Sequence, residues 1–333
     1  MVRKKIIKIA AIAVVAIGAA FNLGCSGKKQ GDSQLETVRV AQFNEFFLYM
    51  PFYLANVKGF FAEEGLRIEV INTGGDDKTF AAVIGGSAAF GIADPTFVAI
   101  AKEQGMGGKV IASIVNGVPF WGVTRNHTIP EITNPNQLSG YSIATFPSPS
   151  TAFMLQEDMF RRAGLRPNIR QGAFGTLWPM VEAGQADIAL ELEPNVSIAA
   201  NQGGKVLYSL AEVYGDFAIT GVTVSEQTVT RRPELVQRFV NALQKSVQFA
   251  HAYPDSVVFY AAQLFPDIDK SVSENAINRI ISTNTLPKSV VISDDAWEKA
   301  VKLRQEAGEI KSLETAKSVL DMSFAKKAVG KGE

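Results

Sequence analysis

Aromatic, hydroxyl and carboxylate residues crowd the points where strand-like runs of this chain give way to helical ones. Phe46, Phe47 and Tyr49 lie in the first such turn, Phe120 and Trp121 at a later strand, Phe146 in a second-half turn, and Trp178 at a helix start. Tyr214 and Phe217 flank another strand. Beside them stand the hydroxyls of Ser148, Ser150 and Thr151, the carboxylates of Asp94, Glu191 and Glu193, and Asn44 and Thr73. Aromatic faces stack on a flat ring, and a few polar groups fix its identity at the edge. Glu193 follows a strand and precedes Pro194, so its carboxylate is expected to point at the ligand. None of these turns carries Arg, and only Lys78 is close. That favours a neutral or amine-bearing planar ring, a pyrimidine or a larger heterocycle such as a flavin, over a sulfonate or nitrate. A helix N-terminus alone can hold an anion. Each aromatic has the alternative of a core position, and each carboxylate that of a helix cap. Their place in turns, which face solvent or ligand, favours a site.

Catalytic patterns are missing from the sequence. There is no Gly-x-Ser-x-Gly elbow and no Gly-x-x-x-x-Gly-Lys loop. Gly105-Met106-Gly107-Gly108 follows a helix and reads as a turn, and Asp76-Asp77 reads as a solvated helix start. His127 and His251 read as surface or helix residues. One cysteine and two histidines in 333 residues exclude a disulfide framework and a Cys/His metal cluster. No cofactor is implied. At 47% hydrophobic, with 33 basic and 33 acidic residues, the chain is globular and not built to wrap nucleic acid.

The elements that must position these groups alternate. Strand-like Val38–Phe43, Leu66–Asn72, Ala88–Ala93 and Lys109–Val115 interleave with helical Pro51–Phe61, Lys78–Ile84 and Pro95–Glu103. A second series runs Tyr141–Thr145, Pro149–Ala163, Ile169–Ala173, Leu177–Ala183, Asp187–Glu191, Pro194–Asn201 and Lys205–Ser209. This βα repetition predicts parallel sheets covered by helices. After a strand at Ala218–Ser225, Val236, Phe239, Val240, Leu243, Val247 and Ala250 keep helical spacing. Pro51, Pro95, Pro149 and Pro194 each follow a strand, where proline suits a first helical turn. Ligands of open α/β sheets sit there, beyond the strand carboxyl ends.

The first residues belong to a different register. Arg3, Lys4, Lys5 and Lys8 precede an apolar run from Ile9 to Phe21. As a helix that run spans about 20 Å, short of a bilayer core of roughly 30 Å, and it reads as a signal peptide over residues 1–24. Its removal leaves a net charge of −4. The only cysteine, Cys25, follows at once and resembles the lipid-attachment site of bacterial lipoproteins. Asn22 and Leu23 stand where that pattern has Leu and a small residue; the alternative is cleavage after Ala20 and a free thiol. Residues 25–36 read as a polar tether.

Several segments together resemble the substrate-binding proteins of ABC importers that handle thiamine pyrimidines, sulfonates, taurine and nitrate. They are Pro51-Phe52-Tyr53-x-Ala55, Lys58-Gly59-Phe60-Phe61-x-Glu63-x-Gly65-Leu66 and Gly85 to Asp94. Leu138 to Ile143, Pro149-Ser150-Thr151, Gly184 to Ala189 and Glu193-Pro194 follow in the same order. Ala89 replaces the family's Asp, Leu192 replaces a frequent Trp, and the cysteine cluster of the fungal pyrimidine-synthesis branch is absent. The resemblance implies a type II periplasmic binding protein fold, two α/β lobes joined by two crossover strands near Pro119–Arg125 and Asp216–Val222. Lobe one would comprise residues 37–120 and 221–333, and lobe two residues 121–220. It implies a monomeric solute receptor, not an enzyme, that delivers a small heterocycle to an ABC permease and its ATPase. The receptor would be lipid-anchored on the periplasmic or extracellular side of the cell membrane. A sulfonate, taurine or nitrate receptor is the alternative, then an enzyme of pyrimidine synthesis, or a ligand-sensing partner of a signalling protein.

Overall fold

The computed structural model describes residues 35–330. The expected signal peptide, Cys25 and the expected tether up to residue 34 lie outside the described residues. Ten strands form two five-stranded sheets. The first contains β1 (Glu36–Gln42), β2 (Leu66–Asn72), β3 (Phe90–Ala93) and β4 (Lys109–Asn116). The second contains β5 (Trp121–Thr124), β6 (Ile143–Thr145), β7 (Ile169–Gln171), β8 (Ile188–Glu191) and β9 (Lys205–Ser209). The chain then returns through β10 (Ala218–Val224). The orders β2-β1-β3-β10-β4 and β7-β6-β8-β5-β9 are the same pattern used twice.

Neither sheet is purely parallel. β1 runs parallel to β2 and β3, and β6 parallel to β7 and β8. β10 is antiparallel to β3 and β4, and β5 antiparallel to β8 and β9. Each antiparallel strand is the one reached directly from the other sheet. It enters from the carboxyl-end side of its new neighbours and therefore runs against them. All seven residues of β10 are buried, as a strand covered on both faces requires.

Helices supply the covering. Phe239 of the helix Pro233–Ala252 stacks on Phe90 of β3 at 4.1 Å and on Phe61 at 5.0 Å. The helical run expected from Pro51 to Phe61 is two helices, Met50–Val57 and Phe60–Glu63, broken at Gly59, whose φ of 76° suits glycine. The prolines also sit differently from expectation. Only Pro51 lies inside a first turn; Pro95 and Pro194 hold the cap position, and Pro149 precedes the Ser150 cap. Gly122 of β5 leaves room for the Tyr208 ring, which a β-carbon would meet at 2.0 Å. Tyr208 thereby reaches Gln156 at 2.8 Å and ties β9 to the helix Thr151–Arg162.

The last hundred residues serve both sheets. Val110 of β4 bonds to Val319 and Asp321, which places the C-terminal end beside the first sheet. The helices Lys270–Ser282 and Asp294–Glu306 instead reach second-sheet elements, through Arg279 to Glu193 at 2.6 Å and Arg304 to Thr151 at 2.9 Å. Among the described residues no helix is long and apolar enough to cross a membrane.

Candidate functional site

The carboxyl ends of β1 and β3 face the turns after β6 and β8 across a cavity of about 660 Å³. Seven aromatic residues line its wall. Phe43, Phe46 and Tyr49 come from the segment after β1, Phe97 from the first turn of the helix Thr96–Glu103, Phe120 from the crossover, and Phe146 and Phe174 from second-sheet turns. Phe46 meets Phe174 edge-on at 5.3 Å, so the two sheets' turns touch directly. Phe146 and Phe174 lie nearly parallel, 18° apart, at 6.3 Å. Leu48, Ile219 and Leu192 complete the apolar side.

One end is charged. Asp94 accepts from the Thr96 amide at 2.9 Å and its hydroxyl at 2.6 Å. Its other oxygen accepts from Thr151 at 2.7 Å and Arg304 at 2.8 Å. Arg304, 2% exposed, also donates to Thr96, Pro149, Thr151 and Glu309. Burial disfavours the Arg304 charge, but Asp94 and Glu309 outweigh that and hold it firmly protonated. Asp76 accepts from the Asp94 amide at 2.8 Å. Burial, followed by the Asp94 charge, pushes its carboxyl up to about 7.

Seven of the sequence-chosen residues line this cavity: Phe46, Tyr49, Asp94, Phe120, Phe146, Ser150 and Thr151. Ser150 caps the helix Thr151–Arg162 by accepting from Phe153. Asn44 and Ser148 are exposed neighbours outside the lining; the Asn44 side chain accepts from Glu45 and the Ser148 amide donates to Gln171. Thr73 is taken up by Gln42, Gly75 and Thr79, where it secures the ends of β1 and β2.

The remaining seven lie outside this cavity, among them Phe217, which is buried in the core. Phe47 is core, 4.6 Å from Phe265. Trp178 donates to Gln202 at 2.6 Å inside the second lobe. Trp121 and Glu191 are paired residues of β5 and β8. Trp121 borders a separate cavity of about 470 Å³, near Arg279. Glu191, fully buried, bonds to Asn195, and burial pushes its carboxyl up to about 7. Glu193 turns away from the cavity, into the start of its own helix. It accepts from the Ser197 amide and hydroxyl and from Arg279. Burial pushes its carboxyl up, and Arg279 opposes that. The Tyr214 hydroxyl lies 2.8 Å from Asp158 and 2.9 Å from the Leu155 carbonyl, near Arg162.

Sequence reasoning passed over Phe43, Phe97, Phe174, Asp76 and Arg304 as site residues. Phe174 stands between Gly172 and Gly175 in a turn, a signal of the kind used for the other aromatics. Asp76, read as solvated, is half-buried, and its carboxylate accepts from the Asp94 amide. Arg304 lies far along the chain from Asp94, and nothing near it in sequence marks it. Its presence corrects the expectation of a site without Arg.

A family model described as NMT1/THI5 like matches residues 47–257. YtlA of Bacillus subtilis (strain 168), named only as a binding protein, is 22% identical over 303 residues, 88% of this chain and 90% of that protein. The riboflavin-binding protein RibY of Chloroflexus aurantiacus is 25% identical over 245 residues, 72% of this chain and 68% of that protein. The crystal structure of the periplasmic aliphatic sulphonate binding protein SsuA from Escherichia coli superposes with a TM-score of 0.69 at 14% identity, covering 86% of this chain and 93% of that one. That likeness shows the periplasmic binding protein fold.

Proposed function

The chain belongs to the NMT1/THI5-like family, and from that premise we propose that it is the solute receptor of an ABC importer, closing its two lobes on a small planar heterocycle. A thiamine-precursor pyrimidine or a riboflavin-like ring is the proposed ligand. The observation that carries this reading is the cavity itself, an aromatic enclosure of about 660 Å³ with carboxylates at one end. Stacking on Phe146, Phe174 or Phe46 supplies affinity, and the polar end supplies identity. The riboflavin-binding relative supports a ring-shaped ligand. A sulfonate or nitrate is served poorly, because Arg304, the lining arginine, is already neutralised by Asp94 and Glu309.

In this reading lobe one comprises residues 37–120 and 221–333, and lobe two residues 121–220. The protein acts as a monomer with a permease and ATPase as partners. It is held on the outer side of the cell membrane by lipid on Cys25. Two acyl chains at about 0.8 kcal/mol per buried CH₂ anchor firmly. Mass spectrometry of small molecules that co-purify with the protein, followed by calorimetric titration of each, tests the ligand class. Recovery of a sulfonate or of nitrate in place of an aromatic ring would overturn it.

A further inference from the structure

The charged end of the cavity holds one acceptor that the fold leaves free. Asp94 commits both oxygens to Thr96, Thr151 and Arg304. Arg304 commits its donors to Asp94, Thr96, Thr151, Pro149 and Glu309. Asp76 receives one bond, from the Asp94 amide to Oδ1, and among the described residues nothing donates to Oδ2. Asp76 lines the cavity beside the aromatic wall, and the buried Tyr49 hydroxyl is close enough to feel its charge. Asp76, Asp77 and Asp94 set three carboxyl groups against one guanidinium that Glu309 also shares.

We propose that the cleft selects a cationic nitrogen heterocycle, and that the free Asp76 oxygen is the group that reads its positive charge or N–H donor. This rests on the reading of the cavity as a heterocycle site and narrows it. An anionic ligand would place its oxygens against an unpaired carboxylate. A neutral ring could at most donate an N–H to the carboxylate and would forgo the attraction between opposite charges. The helix Asp76–Ile84 begins at this point, but its first residue puts a carboxylate where an anion would sit.

The groups that face Asp76 are Asp94 at the end of β3, Arg304 of the helix Asp294–Glu306, Tyr49 of the first turn, and its neighbour Asp77. Burial and Asp94 keep the Asp76 proton up to about 7 against Arg304. A cation needs the carboxylate form. Affinity for a ring of fixed positive charge is therefore lost as pH falls through about 7.

Thiamine, which keeps its charge throughout, and neutral riboflavin serve as probes. Each is titrated calorimetrically into the full chain and into Asp76→Asn at about pH 5.5 and about pH 8. Thiamine is expected to bind the natural chain about ten-fold more tightly at the higher pH. The variant should bind it about ten- to a hundred-fold more weakly there, with no pH dependence. Melting curves of both proteins establish that the variant is folded. Equal, pH-independent thiamine binding by both proteins would overturn the role of Asp76 and leave the heterocycle reading standing. Preferred binding of riboflavin, unchanged in the variant, would do the same. If neither ring binds the natural chain at either pH, both readings fall.

Discussion

Phe174 is 42% exposed and yet meets Phe46 edge-on at 5.3 Å across the cleft. A side chain that contributes little to the core but closes over the cavity should affect binding more than stability. Phe174→Ala is expected to weaken ligand binding by about 1–3 kcal/mol while melting close to the natural protein. Titration beside a melting curve checks this, and a large fall in melting temperature with unchanged affinity would count against it. Asp76 bears on stability as well as on binding. Its carboxyl keeps a proton up to about 7 when folded, whereas an unperturbed aspartate titrates at 3.8. Between those values the folded state binds more protons, so stability is lost as pH rises through that window. Asp76→Asn can keep the bond from the Asp94 amide and has no charge to desolvate. It should melt about 2–6 °C above the natural protein near pH 8 and match it near pH 4. An equal gap at both pH values would contradict that origin. Residues in turns, such as Phe46 and Ser150, were legible because a turn after a strand points to one end of a sheet. Arg304 was not, because its cleft partners Asp94 and Thr151 lie 210 and 153 residues away in sequence.

At the level of elements, the βα alternation was readable from composition alone, since buried short strands and amphipathic helices leave distinct periodicities. What the periodicity lacked was direction. β5 and β10 are as apolar as their parallel neighbours, and only the path between lobes makes them antiparallel. Direction within an element was equally hidden at Glu193. A carboxylate just before a helix can face a ligand or fold back onto the helix start, and here it accepts from Ser197 and Arg279. Glu193→Gln keeps the shape but leaves Arg279 without its anion. It should cost about 1–3 kcal/mol of stability and leave affinity for the ligand unchanged. Chemical denaturation and titration of that one variant check it. Weakened binding with full stability would mean that Glu193 faces the ligand after all.

Across the whole molecule, the C-terminal helices fasten both lobes, an arrangement that no local pattern announces. Arg304 stands where that fastening meets the cleft. Its guanidinium bonds to Asp94 beside the first sheet and to Thr151 and the Pro149 carbonyl beside the second. Asp94 and Thr151 also bond directly at 2.7 Å. In the proposed lobe division these contacts cross between lobes, so an opening of the lobes would break them and closure would remake them next to the ligand. A planar fork can hold both partners at once, whereas a single ammonium can hold one well. Arg304→Lys keeps the charge that Asp94 needs, which avoids the about 3–5 kcal/mol cost of an orphaned buried carboxylate. The variant is therefore expected to fold, but to close less completely. Solution scattering should show ligand compacting the natural protein, and the lysine variant remaining more extended at the same saturation. Its affinity should drop about ten-fold, because part of the binding energy would go to closing a cleft that no longer closes on its own contacts. Equal compaction and equal affinity in the two proteins would remove Arg304 from the closure and leave it a buried structural cation.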